Sequence, residues 1–258
     1  APGASGIFAE FLKYGGELTV VTWLHANFAK IWETEQTPAG WSEANIVPLF
    51  KKGDKQEPMN YRGISLLEII GKVFTTILLK RLSPASDEFM LEAQCGFRPN
   101  RSCTDAIFTL RQLVRWSEEF NQPLYACFVD LAKAYDSINR EALWFILGQQ
   151  GIPNKYIALL RSLHSGTRAR IRAFDTESGW FDISGGVRQG CNIAPWLFNQ
   201  FLDFILRQTH LILERERVQG PNVRSNTTRN PRASSFGLHT KPLRATAPNN
   251  ISIPTLAY

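Results

Sequence analysis

The sequence has no apolar run near the roughly 20 residues that a helix needs to cross a bilayer. Its four cysteines form no C-x-x-C pair and have no nearby histidine pair, so no zinc-site pattern is present. Residues 1–6 lack the basic and then apolar pattern of a secretory signal. These absences argue against a membrane protein and a disulfide-stabilised secreted domain. They favour a reduced, intracellular setting, and the start without methionine or leader suggests a piece of a longer product.

The excess of basic charge is concentrated near the C-terminus. The chain has 29 lysines and arginines against 23 acidic residues, a formal net charge of +6. Residues 206–258 hold eight of these basic residues and two of the acidic ones, so residues 1–205 are balanced. A nucleic-acid surface on the globular part must therefore be argued from local clusters rather than from the overall charge.

Hydrophobic periodicity predicts a helix-rich α+β chain with a small antiparallel sheet. From Pro221 onward the sequence is rich in Asn, Ser, Thr, Pro and Arg and has little apolar period, which predicts an irregular tail. We therefore expect a folded unit over residues 1–207 and a divergent, basic, disordered tail over 208–258. Helices are predicted over residues 17–33, 66–82, 102–120, 139–150, 153–164 and 194–207, and strands over 44–50, 61–66, 124–129, 167–174 and 180–183.

Asp130 ends the apolar run of residues 124–129 and is followed by Lys133, Tyr135 and Asp136. A carboxylate at the end of a hydrophobic strand is well placed to hold a divalent cation, because its hard oxygen atoms suit Mg²⁺. A strand followed by a helix-capping aspartate explains the same spacing equally well.

Two basic clusters are candidates for phosphate contacts. Lys51 and Lys52 lie in a tight turn between two predicted strands, and Arg98 and Arg101 precede a predicted helix N-terminus. A solvated turn and a pair of solubilising surface arginines are the structural alternatives. A glycine-rich loop at residues 184–191, with Gln189 at its centre, could approach a ligand closely.

Six sequence blocks follow one another along about 200 residues. The blocks are A-P-G at 1–3, I-V-P-L-F-K-K-G at 46–53, N-Y-R-G-I-S-L at 60–66, G-F-R at 96–98 with R-S at 101–102, F-V-D-L-A-K-A-Y-D at 128–136, and G-V-R-Q-G-C at 186–191. Together and in this order they resemble the reverse transcriptase domain of non-LTR (LINE-type) retrotransposons, a right-hand polymerase of fingers, palm and thumb. Ser5 replaces an acid of the family pattern, and Gly63 stands where the family usually has proline.

The resemblance implies a role for each matching residue. Asp130 would be the catalytic palm aspartate that bridges two Mg²⁺ ions, and the backbone carbonyl of Leu131 would bind the second ion. Tyr135 would lie under the sugar and exclude a 2′-hydroxyl. The remaining roles are nucleotide binding for Lys51, Lys52, Arg62, Gln189 and Gly190, and nucleic-acid binding for Arg98 and Arg101.

The family takes its remaining metal ligands from a Y/F-A-D-D hairpin, and no aspartate follows Asp203 in this sequence. A frameshift, an alternative splice or a degenerate end would explain the loss, and we expect fingers with a partial palm only. The implied function is RNA-directed DNA synthesis on an RNA template with a DNA primer and deoxynucleoside triphosphates, inactive in this chain. The alternative is a non-catalytic nucleic-acid-binding remnant of a decayed element.

The resemblance also sets expectations about partners and location. We expect neither a membrane partner nor an obligate protein partner. The family copies element RNA at a nicked chromosomal target, which implies a nuclear site of action, although the sequence shows no targeting signal.

Overall fold

Two strands, β1 (Glu43–Phe50) and β2 (Tyr61–Leu66), form a hairpin at one edge of a small sheet. The computed structural model describes residue 3, residues 5–173 and residues 176–219. No helix among them is both long and apolar enough to cross a membrane. The helices are α1 (Ala9–Tyr14), α2 (Glu17–Thr34), α3 (Ile69–Asp87), α4 (Cys103–Glu119), α5 (Arg140–Gln149), α6 (Asn154–His164) and α7 (Ala194–Gln219), and the strands are β1 (Glu43–Phe50), β2 (Tyr61–Leu66), β3 (Arg168–Ala173), β4 (Thr176–Glu177) and β5 (Phe181–Asp182).

All six predicted helices are present, and local capping chemistry explains where several begin. The backbone N–H of Ser102 donates to the Asp105 carboxylate at 2.7 Å, which completes a capping box at the start of α4. At α5, the Asn139 side chain accepts from the Ala142 N–H at 3.0 Å. Gly151 follows α5 at φ +81°, a left-handed conformation that lets the chain turn towards α6.

The sheet has the order β2-β1-β3-β4, and β5 also pairs with β3. The pairing of β1 with β2 is antiparallel, with Phe50 opposite Tyr61, and β5 pairs antiparallel with β3 as predicted. The predicted α+β fold with a small sheet is confirmed, but the sheet is mixed rather than antiparallel throughout, because β1 and β3 are parallel. Parallel neighbours need a long crossover, and the stretch between these two strands, which includes four helices, provides it.

The core lies between the apolar faces of α3, α5, α6 and the first turns of α7. Burial of these leucine-rich faces removes a large apolar area from water, at roughly 25 cal/mol per Å². Val187 and Ile193 extend the same core into the loop that precedes α7. That glycine-rich loop is therefore anchored on the core. Leu78, Leu82, Leu147, Leu159 and Leu197 are among the fully buried side chains.

The predicted strand over residues 124–129 is not formed. These residues have no regular secondary structure and are exposed; Phe128 and Val129 are 83% and 78% exposed. Helix α4, which precedes them, has no buried residue. The physical reason is that a strand needs a hydrogen-bonded neighbour, and no described strand pairs with this segment.

Helix α7 continues to Gln219, past residue 207, where the sequence predicted the folded unit to end and the tail to begin. The remainder of that predicted tail, residues 220–258, lies outside the described residues.

Candidate functional site

The segment that carries Tyr135 and the glycine-rich loop are joined by backbone hydrogen bonds. The N–H of Val187 donates to the Tyr135 carbonyl at 2.9 Å, and the N–H of Gly186 donates to the Ile138 carbonyl at 2.9 Å. Two sequence blocks separated by about fifty residues therefore form one continuous backbone surface. The sequence predicted both segments as parts of a nucleotide site, and the structure brings them together.

Gly186 allows this close approach. Its φ is +72°, and a Cβ at this position would meet the Asp136 Cα and the Tyr135 carbonyl oxygen, each at 2.7 Å. Both are backbone atoms, which cannot rotate away as a flexible side chain would. We call the hydrogen bonds of Gly186 and Val187 to Ile138 and Tyr135 the joint between the two segments. Gly186 is therefore required by this joint, and not only by the flexibility of the loop.

The other end of the loop contacts strand β2. Gly190 has φ +108°, and a Cβ there would meet the Ser65 carbonyl oxygen at 2.6 Å. Gln189 and Gly190 are exposed, whereas the preceding Val187 and Arg188 are buried. The loop thus presents Gln189 to solvent between the hairpin and the Tyr135 segment.

Strand β2 also carries Arg62, and the turn of the hairpin begins with Lys51 and Lys52. All three side chains are exposed. The Lys51 N–H donates to the Asn60 carbonyl at 2.9 Å, and Phe50 packs on Tyr61 with ring centroids 5.4 Å apart. The backbone of the hairpin therefore holds the basic side chains of Lys51, Lys52 and Arg62 on one ordered element. Their assignment to nucleotide binding remains a prediction.

Tyr135 is half-buried against α7. Its ring lies 5.4 Å from the Phe198 ring, centroid to centroid, and burial raises the pKa of its phenol above the usual range. The ring is therefore held by packing, which favours a neutral, shape-based role at a sugar. That role also remains a prediction.

Asp130 and Leu131 lie in the irregular segment and are both exposed. Among the described residues, no group of three His, Cys, Asp or Glu side chains is close enough to hold a metal ion. The family implies divalent cations, but one isolated carboxylate does not fit the demand of Mg²⁺ for near-ideal octahedral oxygen geometry. The described residues therefore do not complete a metal site, and metal binding by Asp130 and Leu131 remains a prediction.

Asp203, the last aspartate of the sequence, has a structural role. It is 4% exposed; it accepts from the Leu91 N–H at 2.7 Å and from Arg207 Nε at 2.7 Å. Its two carboxylate oxygens each have a protein partner. Asp203 therefore fixes the loop after α3 to α7 rather than providing a second acid for Asp130.

The two arginines predicted to bind nucleic acid have different surroundings. Arg98 is buried, and its guanidinium donates to the Asp87 carboxylate at 2.5 Å and to the carbonyls of Leu91 and Gln94 at 2.9 and 3.3 Å. Arg101 is more exposed and pairs with Glu92. This geometry gives Arg98 a structural function, and Arg101 is the better placed of the two for a phosphate. Nucleic-acid binding by either stays a prediction.

Sequence reasoning missed a cluster of polar groups behind the glycine-rich loop. Arg140 donates to the carbonyls of Gly185, Gly186 and His164, and Arg188 donates to those of Trp41 and Leu163. Burial is the main cause that lowers the pKa of both guanidinium groups. The only sequence signal was a basic residue at the first position of α5, where a cation opposes the helix dipole.

His164 completes this cluster as a neutral side chain. Its Nδ1 lies 2.8 Å from the Leu160 carbonyl oxygen, and its Nε2 has no partner among the described residues. Burial first, and then the nearby Arg188, lowers the pKa of His164 to about 3. The glycine-rich loop is therefore backed by two arginines, the half-buried Arg140 and the buried Arg188, and by the buried, neutral His164.

The glycine-rich loop, the Tyr135 segment and the basic hairpin lie together on a mixed helix-and-sheet fold that is compatible with the fingers and palm of a polymerase. The family model for reverse transcriptase (RNA-dependent DNA polymerase) matches residues 50–219. That match covers more than half of the chain and includes the loop, Tyr135 and Asp130. The chain belongs to this reverse transcriptase family.

Relatives of the chain come from non-LTR retrotransposons, as the sequence blocks predicted. A 115 kDa protein of the type-1 retrotransposable element R1DM of Drosophila melanogaster is 29% identical over 218 residues, which are 81% of this chain and 20% of the relative. The Pol polyprotein of the type-2 element R2DM of the same species is 26% identical over 64% of this chain and 15% of its own length. The RNA-directed DNA polymerase of the mobile element jockey is 23% identical over 67% of this chain and 19% of its own length. The chain thus spans about a fifth or less of these relatives.

Proposed function

We propose that this chain is the fingers and partial palm of an RNA-directed DNA polymerase that copies retrotransposon RNA. The observation that carries the proposal is the backbone joint between Val187 and Tyr135, which puts the glycine-rich loop beside the aromatic residue. Arg62 lies on β2, and Gly190 lies against Ser65 of the same strand, so both flank this surface. The polymerase family provides the reaction class, because nucleic-acid templates and nucleotide substrates are common to it.

Within this proposal, each group of residues has a role that follows from its chemistry. Lys51, Lys52 and Arg62 attract the triphosphate, since point charges and planar guanidinium forks both suit phosphate oxygens. Gln189 and Gly190 support the base and the template, and Tyr135 restricts the space at the 2′ position of the sugar. Arg101 contacts the nucleic-acid backbone.

We further propose that Asp130, with the Leu131 carbonyl, is the first half of a Mg²⁺ site. In a complete site, two bound cations would stabilise the attacking and the leaving oxygen atoms of nucleotide transfer. The described acids do not complete such a site, so the 258 residues alone should bind substrates without joining them. This proposal is supported by the exposure of Asp130 and by the hydrogen bonds of Asp203, whose carboxylate oxygens already accept from Leu91 and Arg207.

A second function, nucleic-acid binding without catalysis, is favoured by the same isolation of Asp130. The two functions differ in whether the element that encodes this chain also encodes a complete polymerase that makes DNA. Reading the other two frames of the gene downstream of codon 206 separates them, because a frameshifted polymerase would still encode Y-A-D-D or F-A-D-D there. Absence of that motif from both frames would contradict a frameshift.

Binding experiments test the substrate assignment directly. Titration of a fluorescent deoxynucleoside triphosphate and of a labelled RNA–DNA primer–template should give saturable binding that weakens steeply with salt. Arg62→Ala should weaken triphosphate binding about tenfold, by analogy with the loss of a charge-assisted bond. Lys30→Ala, an exposed charge on α2, is the matched control. Equal effects of both substitutions would contradict the assignment.

A nuclear site of action is part of the proposal, because copying at a nicked chromosomal target requires access to chromosomes. Microscopy of the tagged full-length element protein in host cells tests it, and exclusion from the nucleus would contradict it.

A further inference from the structure

Arg140 occupies a position where a cation is unfavourable. It is the first residue of α5, and the N-terminal end of a helix carries a partial positive charge. Partial burial lowers the pKa of Arg140, and the charge of the buried Arg188 lowers it further. None of the described carboxylates pairs with it. A helix-stabilising or ion-pairing role therefore does not account for an arginine at this position.

The hydrogen bonds of Arg140 account for it. Nε donates to the Gly186 carbonyl at 2.8 Å and one terminal nitrogen donates to the Gly185 carbonyl at 3.1 Å, so the guanidinium fork holds two consecutive peptide units. The other terminal nitrogen donates to the His164 carbonyl at 2.7 Å. Such planar, two-point binding is specific to arginine and is not reproduced by lysine.

These bonds continue directly into the joint between the two nucleotide-site segments. Gly186 and Val187 use their N–H groups to bind the Ile138 and Tyr135 carbonyls, while Arg140 binds Gly186 from the carbonyl side. Arg140 itself follows Tyr135 by five residues. The Arg140 side chain therefore links the glycine-rich loop to the Tyr135 segment and fixes Gln189 relative to Tyr135.

We propose that Arg140 is a positioning residue of the polymerase site, which sets the spacing between the Gln189 loop and Tyr135 without touching substrate. This inference rests on the proposed function, since only that function makes the spacing a property of the nucleotide site. Its consequence is that loss of the guanidinium fork loosens the loop locally and weakens nucleotide binding, while the fold persists.

The test is Arg140→Lys in the full 258-residue chain, with Arg161→Lys as the matched control. Arg161 lies on α6 and makes a surface pair with Glu141 at 3.0 Å, so this control changes an arginine in the same region without changing the loop. Hydrogen exchange of the Gly186 and Val187 amides, measured by NMR, reports the joint. Amides of α3, around Phe74 and Leu78, report global stability.

In Arg140→Lys, exchange at Gly186 and Val187 should rise about tenfold or more relative to α3, and deoxynucleoside triphosphate binding with Mg²⁺ should weaken about tenfold. The control should leave both unchanged. Unchanged exchange at the joint, or a uniform rise that includes α3, would overturn the inference, as would faster exchange with normal nucleotide binding. If the unaltered chain binds no triphosphate, the proposed function fails, and the exchange data alone decide whether Arg140 holds the loop.

Discussion

Arg98 and Asp87 form an ion pair in which the Arg98 side chain is only 5% exposed and the Asp87 side chain is 42% exposed. The guanidinium reaches Asp87 Oδ1 at 2.5 Å and also bonds the Asp87 carbonyl at 3.1 Å. The pair fixes the loop between α3 and α4, and that loop is in turn bonded to α7 through Asp203. A residue that the family pattern associates with nucleic acid is here a structural element.

Arg98→Met should therefore destabilise the protein by about 2–3 kcal/mol, because it removes the buried guanidinium that donates to Asp87 and to the carbonyls of Leu91 and Gln94. Arg101→Met should cost less than about 1 kcal/mol, since its pair with Glu92 is solvent-exposed. Urea denaturation of both variants measures the difference. Equal costs would show that the burial of Arg98 is not what makes it important.

The same pair predicts a dependence of stability on pH. The hydrogen bond from Arg98 lowers the pKa of Asp87 below its usual value, so the folded state favours the ionised carboxylate. This contribution is complete above about pH 4, near the unfolded pKa, and it is lost as pH falls through the lower folded pKa. The stability difference between the unaltered chain and Asp87→Asn should be constant from pH 7 to about 5 and shrink below about pH 4. A difference that persists to pH 2 would contradict this assignment.

His164 predicts a second pH effect, with a different window. Its pKa falls to about 3 in the folded state, so below about pH 6.5 only the unfolded chain takes up its proton. Stability should therefore decrease with falling pH by up to about 1.4 kcal/mol per unit. His164→Phe should reduce this slope, because it removes the group that only the unfolded chain protonates. The check is denaturation between pH 7 and 4, and an unchanged slope in His164→Phe would contradict a buried neutral imidazole.

Adjacent glycines in the loop should differ in their tolerance of an added methyl group. Gly186→Ala places a Cβ 2.7 Å from backbone atoms at φ +72°, and we expect a loss of about 1–3 kcal/mol. Gly185→Ala meets nothing nearer than 3.8 Å and should change stability by less than about 0.5 kcal/mol. Thermal denaturation of the two variants provides the comparison. Similar melting temperatures would show that the joint with Tyr135 is looser than described.

The irregular segment before Asp130 gives a clear test by side-chain truncation. Phe128 is 83% exposed and Phe74 is 3% exposed. Phe128→Ala should thus alter the free energy of unfolding by less than about 0.5 kcal/mol, whereas Phe74→Ala should cost about 3–5 kcal/mol. Chemical denaturation measures both. A large cost at Phe128 would mean that residues 124–129 are packed, as the sequence pattern had predicted.

Comparison of sequence and structure shows which features local patterns can predict. The β1–β2 hairpin and the α4 capping box were predictable, because their signals lie within a few residues of one another. The predicted strand over residues 124–129 was wrong, because apolar composition cannot supply a pairing neighbour. Arg140 was missed since its partners, Gly185 and Gly186, lie about 45 residues away. The parallel pairing of β1 with β3 was missed for the same reason.

The metal site shows the same division between local and distant information. Asp130 was identified from its position after an apolar run and from the family blocks. Whether acids from elsewhere gather around it depends on tertiary placement, and the described residues show Asp203 bound to Leu91 and Arg207 instead. Its role as a metal ligand remains a prediction.

Primer extension on an RNA template with Mg²⁺ tests the central claim most directly, namely that these residues form the substrate-binding part of a polymerase site that is incomplete at its metal. The 258-residue chain should bind the primer–template and triphosphate but add no nucleotide, and Asp130→Ala should behave identically in extension. DNA synthesis by the unaltered chain that disappears in Asp130→Ala would contradict the account.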